Sequence, residues 1–69
     1  MTNGEFIKEM GNKIRTVRMA RKLTLRQLSD LCQMDVSALN LIELGKKNSY
    51  LLTIKKIADT LGMDIKDFL

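Results

Sequence analysis

Apolar residues recur at the spacing of an α-helix along the whole sequence, and no segment shows the two-residue alternation of a strand. The first helical face is formed by Ile7, Met10, Ile14 and Val17. These positions predict a first helix over about residues 5–21, with Thr2 or Asn3 available to cap it. Because the chain also contains no proline, the pattern predicts an all-α fold.

Two cap signals in the middle of the chain predict a pair of short helices. Thr24 and Gln27 have the spacing of a capping box, which would open a second helix. Its inner face would carry Leu28, Leu31 and Cys32, with the small Ser29 where two helices cross closely. Asp35 is suited to cap a third helix, which would bury Leu39 and Ile42 and end at Gly45. Two helices separated by about three residues form a helix-turn-helix, here over about residues 24–44.

The last third of the chain predicts two more helices. The fourth, over about residues 51–61, would end at Gly62. Its buried face would consist of Leu51, Ile54, Ile57, Ala58 and Leu61. Asp64 and Asp67 mark the cap of a short final helix. The sequence therefore predicts a compact five-helix domain over residues 1–69, with a thin core because the chain is short.

The side chains that most enzymes use for catalysis are missing. The chain has no histidine and a single cysteine, Cys32, and its eight carboxylates follow no metal-ligand spacing. A chain of 69 residues also leaves little room for a deep substrate pocket. We therefore expect no catalytic residues, no metal, no cofactor and no small-molecule substrate, and we do not expect an enzyme.

The cellular location is predicted from what the sequence lacks. A lone cysteine cannot form an intrachain disulfide, which fits a reducing compartment. No apolar run approaches the roughly 20 residues that cross a membrane, and the N-terminus does not resemble a signal peptide. A cytoplasmic protein without a membrane partner is expected.

Positive charge is concentrated in the first half of the chain and just after the third helix. The net charge is +4, and no acidic residue lies between Lys13 and Arg26. That stretch contains Lys13, Arg15, Arg18, Arg21, Lys22 and Arg26. Such a single-sign stretch can attract a nucleic acid backbone. A solvated helix face is the alternative interpretation.

Three segments resemble the phage-repressor and Cro class of helix-turn-helix proteins, the Xre family. They are IRTVR (residues 14–18), LTLRQLSDLCQMDVSALNLIELGKKN (residues 23–48) and TIKKIADTLGMDIKDFL (residues 53–69). They follow one another at the spacing of the family and cover nearly the whole chain. The resemblance implies a repressor-like DNA-binding domain whose third helix lies in the major groove of double-stranded DNA.

The resemblance implies a structural ion pair between Arg18 and Glu43, which would tie the first helix to the third. A surface Arg18 that binds phosphate is the alternative. Two departures from the family pattern affect the backbone. Lys22 and Gln33 stand where the family often has glycine, and each would cost about 1 kcal/mol if a positive φ is still required there.

The same resemblance assigns the DNA contacts. The residues in the positions that contact bases are Val36, Ser37, Asn40 and Leu41. Asn40 can bridge adenine N6 and N7, Ser37 can donate or accept, and the two aliphatic side chains can pack on a thymine methyl. The residues in the phosphate-binding positions are Thr24, Leu25, Arg26, Lys46 and Lys47. Leu25 departs from the glutamine that is usual in the family. Alternatively, Ser37 and Asn40 are surface residues that bond only to the protein itself, and Lys46 and Lys47 are surface lysines that keep the protein soluble.

Few direct bonds are available to such a reading helix, so the resemblance implies a homodimer that reads a two-fold operator. The candidate dimer contacts are Tyr50, Leu52, Ile65, Phe68 and Leu69. Alternatively, Phe68 and Leu69 close the core against the first helix. The function implied is a sequence-specific DNA-binding transcriptional regulator. The competing hypothesis is a protein-interaction module, or an antitoxin-like partner binder, that uses Leu25, Val36, Leu41 and Leu44 as an apolar docking face.

Overall fold

Four α-helices and one 3₁₀ turn make up the fold, and the computed structural model describes every residue from Met1 to Leu69. The elements are α1 (Asn3–Ala20), α2 (Leu25–Leu31), α3 (Val36–Glu43), α4 (Leu51–Leu61) and a 3₁₀ turn (Ile65–Asp67). The all-α class is confirmed, but the count of five helices is wrong by one. The last element is a single tight turn, and it directs Phe68 into the core.

The helix starts follow the cap signals of the sequence. The Thr2 hydroxyl accepts a hydrogen bond from the Glu5 amide at 3.1 Å, so α1 begins two residues before the predicted start. At α2 both halves of the predicted capping box are present: the Gln27 amide donates to the Thr24 hydroxyl, and the Thr24 amide donates to the Gln27 side chain. A second capping box joins Asp64 and Asp67 at the 3₁₀ turn.

All four helices end in the same way, with a residue of positive φ. These residues and their φ angles are Lys22 (57°), Gln33 (55°), Gly45 (70°) and Gly62 (69°). At Gln33, for example, its own amide donates to Asp30 O and the next amide, of Met34, donates to Ser29 O. This is the Schellman arrangement. The helices α1 and α2 therefore end in the conformation that glycine favours, but with Lys22 and Gln33 in place of glycine. The positive φ that would cost about 1 kcal/mol at each of these two residues is present.

The core is formed by one apolar face from each helix and by Phe68. Its buried members are Met10, Ile14, Leu28, Cys32, Leu39, Ile42, Ile54, Ile57, Ala58, Leu61 and Phe68. Two predicted core residues are absent from it, since Leu31 is 60% exposed and Leu51 is 62% exposed. Leu31 points about 100° away from the centre of the buried face of α2. Leu51 lies in the first turn of α4, before the buried part of that helix begins.

Glycine allows α1 to lie directly against α3. A Cβ added at Gly11 would be 2.1 Å from the carbonyl oxygen of Ile42 and 2.8 Å from that of Glu43. Just beyond α3, a Cβ at Gly45 would be 2.5 Å from the Cα of Lys8. These two contacts fix the position of α3 on the side of α1.

None of the helices combines the length and the apolar character needed to cross a bilayer.

Candidate nucleic-acid interface

Helix α3 presents the four predicted base-reading residues on its outer side. Its inner side is buried through Leu39, Ile42 and Glu43. The outward residues are Val36, Ser37, Asn40, Leu41 and, one turn further, Leu44. They fall within an arc of about 140° around the helix axis. Val36 is half-buried and the other four are exposed, so most of this arc is free to meet a ligand.

The N-cap residue of α3 behaves differently from the caps of α1 and α2. Asp35 has the extended backbone of an N-cap, but its side chain makes no hydrogen bond to the helix backbone. The prediction that Asp35 occupies the N-cap position of α3 is therefore confirmed, but the expected hydrogen bond from the helix backbone to its side chain is absent. Its carboxylate accepts a hydrogen bond of 2.6 Å from the Ser37 hydroxyl instead. The carboxylate is thereby held on the exposed side of the N-terminal end of the helix.

The start of α2 offers backbone donors and one exposed cation. The capping box occupies the amides of Thr24 and Gln27, so the amides of Leu25 and Arg26 are the first-turn donors left without an intrahelical partner. The Leu25 side chain is half-buried against the core and has no polar atom. The Arg26 side chain is 77% exposed and lies 3.7 Å from Asp30, one turn along the same helix.

The other end of α3 is surrounded by unpaired lysines. Lys46 and Lys47 directly follow its C-terminus, are exposed and form no ion pair. Lys8 of α1 adjoins the same end of α3, because its backbone contacts Gly45. Sequence reasoning missed Lys8, since nothing near it in the sequence indicates that this part of α1 adjoins the end of α3.

A groove of about 770 Å³ runs between α1 and α3. It is lined by Glu5, Lys8, Glu9, Asn12, Arg15, Arg18, Leu25, Asn40, Glu43 and Leu44. The groove connects the outer side of α3 to α1, where it is lined by the cations Lys8 and Arg15 and by the carboxylates Glu5 and Glu9. No cluster of His, Cys, Asp and Glu side chains is arranged to hold a metal ion.

A buried ion pair holds α3 in place from behind. Arg18 donates to both carboxylate oxygens of Glu43, through Nε at 2.8 Å and Nη2 at 3.1 Å. Its remaining terminal nitrogen, Nη1, donates to the carbonyl of Leu23 at 2.7 Å. Both side chains are at most 10% exposed, and no buried side-chain polar atom lacks a partner. Arg18 is therefore engaged inside the protein and is not available to a phosphate.

The five candidate dimer contacts do not share one environment. Tyr50, Leu52 and Leu69 are exposed, at 87%, 77% and 46% respectively, while Ile65 is half-buried against the core. Phe68 is only 1% exposed, so its assignment as a dimer contact is wrong. The 3₁₀ turn places this ring inside the core, where a partner subunit could not reach it.

Residues 14–68 match the HTH_3 family of helix-turn-helix domains. The chain belongs to this helix-turn-helix family. The matched segment contains α2, α3, α4, the 3₁₀ turn and the C-terminal part of α1 that carries Arg18. Comparison with curated proteins gave no match.

Solved structures of similar fold include several regulators. The restriction-modification controller protein C.AhdI from Aeromonas hydrophila matches with 28% identity and a TM-score of 0.87, over 94% of this chain and 97% of that one. An HTH_3 family transcriptional regulator from Vibrio cholerae matches with 27% identity and a TM-score of 0.90, over 97% of this chain and 38% of that one. The DNA-binding domain of BldD shares the fold at 22% identity, with a TM-score of 0.87, over 100% of this chain and 99% of that one. This HTH_3 chain is a DNA-binding transcriptional regulator.

Proposed function

We propose that this HTH_3 regulator binds a two-fold operator as a homodimer, with α3 of each subunit in the major groove. The observation that carries the proposal is the exposed side of α3, with the exposed Arg26 on the neighbouring α2 and the unpaired Lys46 and Lys47 just after the C-terminus of α3. Cations placed beside and just beyond a protruding helix would contact the phosphates that border a groove.

The outer side of α3 would read bases through few direct bonds. Asn40 is exposed and can bond adenine N6 and N7 together, while Ser37 lies closer to the start of the helix. Val36 and Leu41 would pack on thymine methyl groups. Each good base contact contributes about 1–3 kcal/mol of discrimination, so a single subunit would select its site weakly.

Contacts with the phosphates of the DNA backbone would supply most of the affinity for DNA. At the start of α2, the amides of Leu25 and Arg26, the Thr24 hydroxyl and the Arg26 guanidinium would face a phosphate. Lys46 and Lys47 would contact the DNA backbone just beyond the C-terminus of α3, and Lys8, whose backbone adjoins Gly45, would contact it nearby. Binding that depends on such contacts weakens steeply as salt is raised.

Dimerisation would compensate for the weak reading by one subunit. The exposed apolar residues Tyr50, Leu52 and Leu69 and the half-buried Ile65 would form the contact. Leu51, which the sequence assigned to the core, is exposed and extends the apolar run at the start of α4. A two-fold dimer would place its two copies of α3 in successive major grooves, about 34 Å apart.

Selection of bound duplexes from a random DNA pool tests the proposal. We expect enrichment of two related half-sites in inverted orientation, separated by about one helical turn, and a complex containing two protein chains per duplex. Binding to the enriched duplex, remeasured across salt concentrations, should show a steep linear dependence of log affinity on log salt. Enrichment of a single half-site would contradict the dimer, and failure to enrich any sequence would contradict the DNA-reading role.

An apolar docking role for α3 is the second candidate. Leu41 is 40% exposed and Leu44 is 47% exposed, and Leu44 shares the groove wall with Leu25. Such leucines could seat a partner protein instead of a base pair. This role predicts little DNA affinity at any salt concentration and loss of partner binding on Leu41→Asp. An enriched two-fold operator would contradict it as the main function.

A further inference from the structure

We propose that Asp35 is a specificity-determining residue that, together with Ser37, selects cytosine at the base pair facing the start of α3. The inference rests on the proposed function, in which α3 lies in the major groove. It concerns a residue that the reading set of Val36, Ser37, Asn40 and Leu41 leaves out. The juxtaposition that carries it is the carboxylate of Asp35 bonded to the Ser37 hydroxyl on the exposed first turn of α3.

The Asp35 carboxylate has no structural partner that would explain its position. An aspartate at an N-cap usually accepts a hydrogen bond from the first turn of its helix, and this one does not. It also forms no ion pair with a lysine or arginine. Its one bond within the protein, at 2.6 Å, is to another exposed side chain. The carboxylate therefore remains available to a ligand at the base-reading end of α3.

The bond between the two side chains fixes which of them carries the proton. An ionised carboxylate can only accept hydrogen bonds, so the proton in this bond belongs to the Ser37 hydroxyl. With its proton directed at Asp35, the Ser37 oxygen offers only lone pairs in other directions. Both side chains therefore present hydrogen-bond acceptors to the solvent.

A pair of hydrogen-bond acceptors on the protein can distinguish the four bases, because each base carries a different set of donors and acceptors on its major-groove edge. Guanine shows two acceptors and thymine shows one, so both would face Asp35 without a donor. Adenine shows a donor at N6, but the acceptor N7 lies directly beside it. Cytosine shows its N4 amino group with no acceptor of its own next to it. Cytosine is consequently the base that the Asp35–Ser37 pair would select.

Comparison of the wild type with Asp35→Asn in the random-pool selection tests this inference. Asparagine keeps the shape but adds donors, so it can tolerate guanine and thymine. We expect the preference for cytosine at one position of each half-site to fall roughly tenfold, with the other positions unchanged. Asp59→Asn, which removes the same charge from an exposed site on α4, is the matched control and should leave every position unchanged.

Two further variants separate base reading from a structural effect. Asp35→Ala frees the Ser37 hydroxyl to donate, so the preference at the same position should move toward guanine or thymine. Ser37→Ala keeps the carboxylate and should retain a preference for cytosine. Because the Asp35 side chain makes no bond to the helix backbone and asparagine is as suitable an N-cap residue as aspartate, Asp35→Asn should leave the thermal unfolding midpoint within about 5 °C of the wild type.

The outcomes distinguish this inference from the proposed function. If the wild type enriches a two-fold operator and Asp35→Asn enriches the same operator with the same preference throughout, the role of Asp35 is wrong and the dimeric reader stands. A wild-type preference for guanine or thymine at the facing position would also overturn it. If the wild type enriches no sequence, the proposed function fails and this inference fails with it.

Discussion

Arg18 and Glu43 are buried away from water, and each satisfies the charge of the other through their hydrogen-bonded ion pair. The pair joins the last turn of α1 to the last turn of α3, and Arg18 also donates to the Leu23 carbonyl. Burying two charges is costly, so such a pair adds little net stability compared with apolar residues of the same size. Removing one member, however, leaves the other charge buried without a partner.

Glu43→Ala is expected to lower the free energy of unfolding by about 3 kcal/mol, because it strands the Arg18 charge. A chain of 69 residues has a total stability of roughly 3–10 kcal/mol, so much of the protein would unfold. Urea denaturation followed by circular dichroism measures the change. The double variant Arg18→Met, Glu43→Leu should recover most of the loss, and a single-variant loss below about 1 kcal/mol would contradict the buried pair.

Lys46→Ala should weaken binding to all DNA sequences by a similar factor, because a phosphate contact carries no sequence information. The slope of log affinity against log salt should fall by about 1. Fluorescence anisotropy with specific and random duplexes gives both quantities. Lys56→Ala is the matched control, since Lys56 is an exposed lysine of α4 without an ion pair. An equal change in the two variants would place Lys46 outside the interface.

At the scale of whole elements, the ends of the helices contain most of the backbone strain. Gly45 and Gly62 adopt positive φ freely, whereas Lys22 and Gln33 must bring a Cβ into the same region. Gln33 forms the turn between α2 and α3, so the strain lies inside the helix-turn-helix itself.

Gln33→Gly should raise the free energy of unfolding by about 1 kcal/mol, because the strain at positive φ outweighs the extra freedom of glycine when unfolded. Thermal and urea denaturation measure the gain. Gly62→Ala is the reciprocal control. That position has φ 69°, and an added Cβ would meet only Arg21 Nη1 at 4.0 Å, so a loss of about 1 kcal/mol is expected from the backbone alone. A destabilised Gln33→Gly would mean that the glutamine side chain makes a contact that outweighs the strain.

Gly11→Ala should destabilise the domain by about 2 kcal/mol or more, because the added methyl group would push α3 away from α1. Gly4→Ala on the same helix is the control. Its added methyl would meet only the Thr2 hydroxyl at 4.0 Å, so the better helix propensity of alanine should stabilise the domain by up to about 1 kcal/mol. Equal effects at the two positions would contradict the close crossing of α1 and α3.

The sequence predicts those features that depend on neighbouring residues. The capping box at Thr24 and the glycine endings at Gly45 and Gly62 are local, and the structure has all three. Features that depend on distant contacts could not be predicted in the same way. Leu31 fits the inner face of a seven-residue helix as well as Ser29 does, and only the packing of α2 on α3 decides between them.

The candidate interface shows the same division between local and distant information. The outward residues of α3 follow from its helical phase, once Leu39 and Ile42 are placed in the core. The position of Lys8 depends instead on its backbone contact with Gly45, a residue far along the chain. The bond from Ser37 to Asp35 could not be predicted either, because an N-cap aspartate ordinarily bonds to the helix backbone.

At the scale of the whole molecule, the surface proposed to read DNA and the surface proposed to dimerise belong to different elements. The outer side of α3 carries the first, and the loop, the start of α4 and the C-terminus carry the second. Leu52 is 77% exposed, so a change there would leave the core intact. The two activities are therefore open to separate measurement.

Leu52→Asp is expected to convert the proposed dimer into a monomer, because two like charges would meet at the proposed two-fold contact. Analytical ultracentrifugation without DNA measures the assembly, and circular dichroism should show that the Leu52→Asp monomer is as helical as Met19→Asp. Met19 is an exposed apolar residue of α1 outside the proposed contact, so its variant should remain dimeric. A Leu52→Asp protein that still sediments as a dimer would place the contact elsewhere.

The inner side of α3 is fixed by Leu39, Ile42 and Glu43, whereas Ser37, Asn40 and Leu41 on its outer side are exposed. Surface changes of this kind usually alter stability by less than about 0.5 kcal/mol. A lineage of such regulators could therefore acquire new operators by a few substitutions while its scaffold stayed unchanged. The same separation would let an engineer retarget the protein without redesigning its interior.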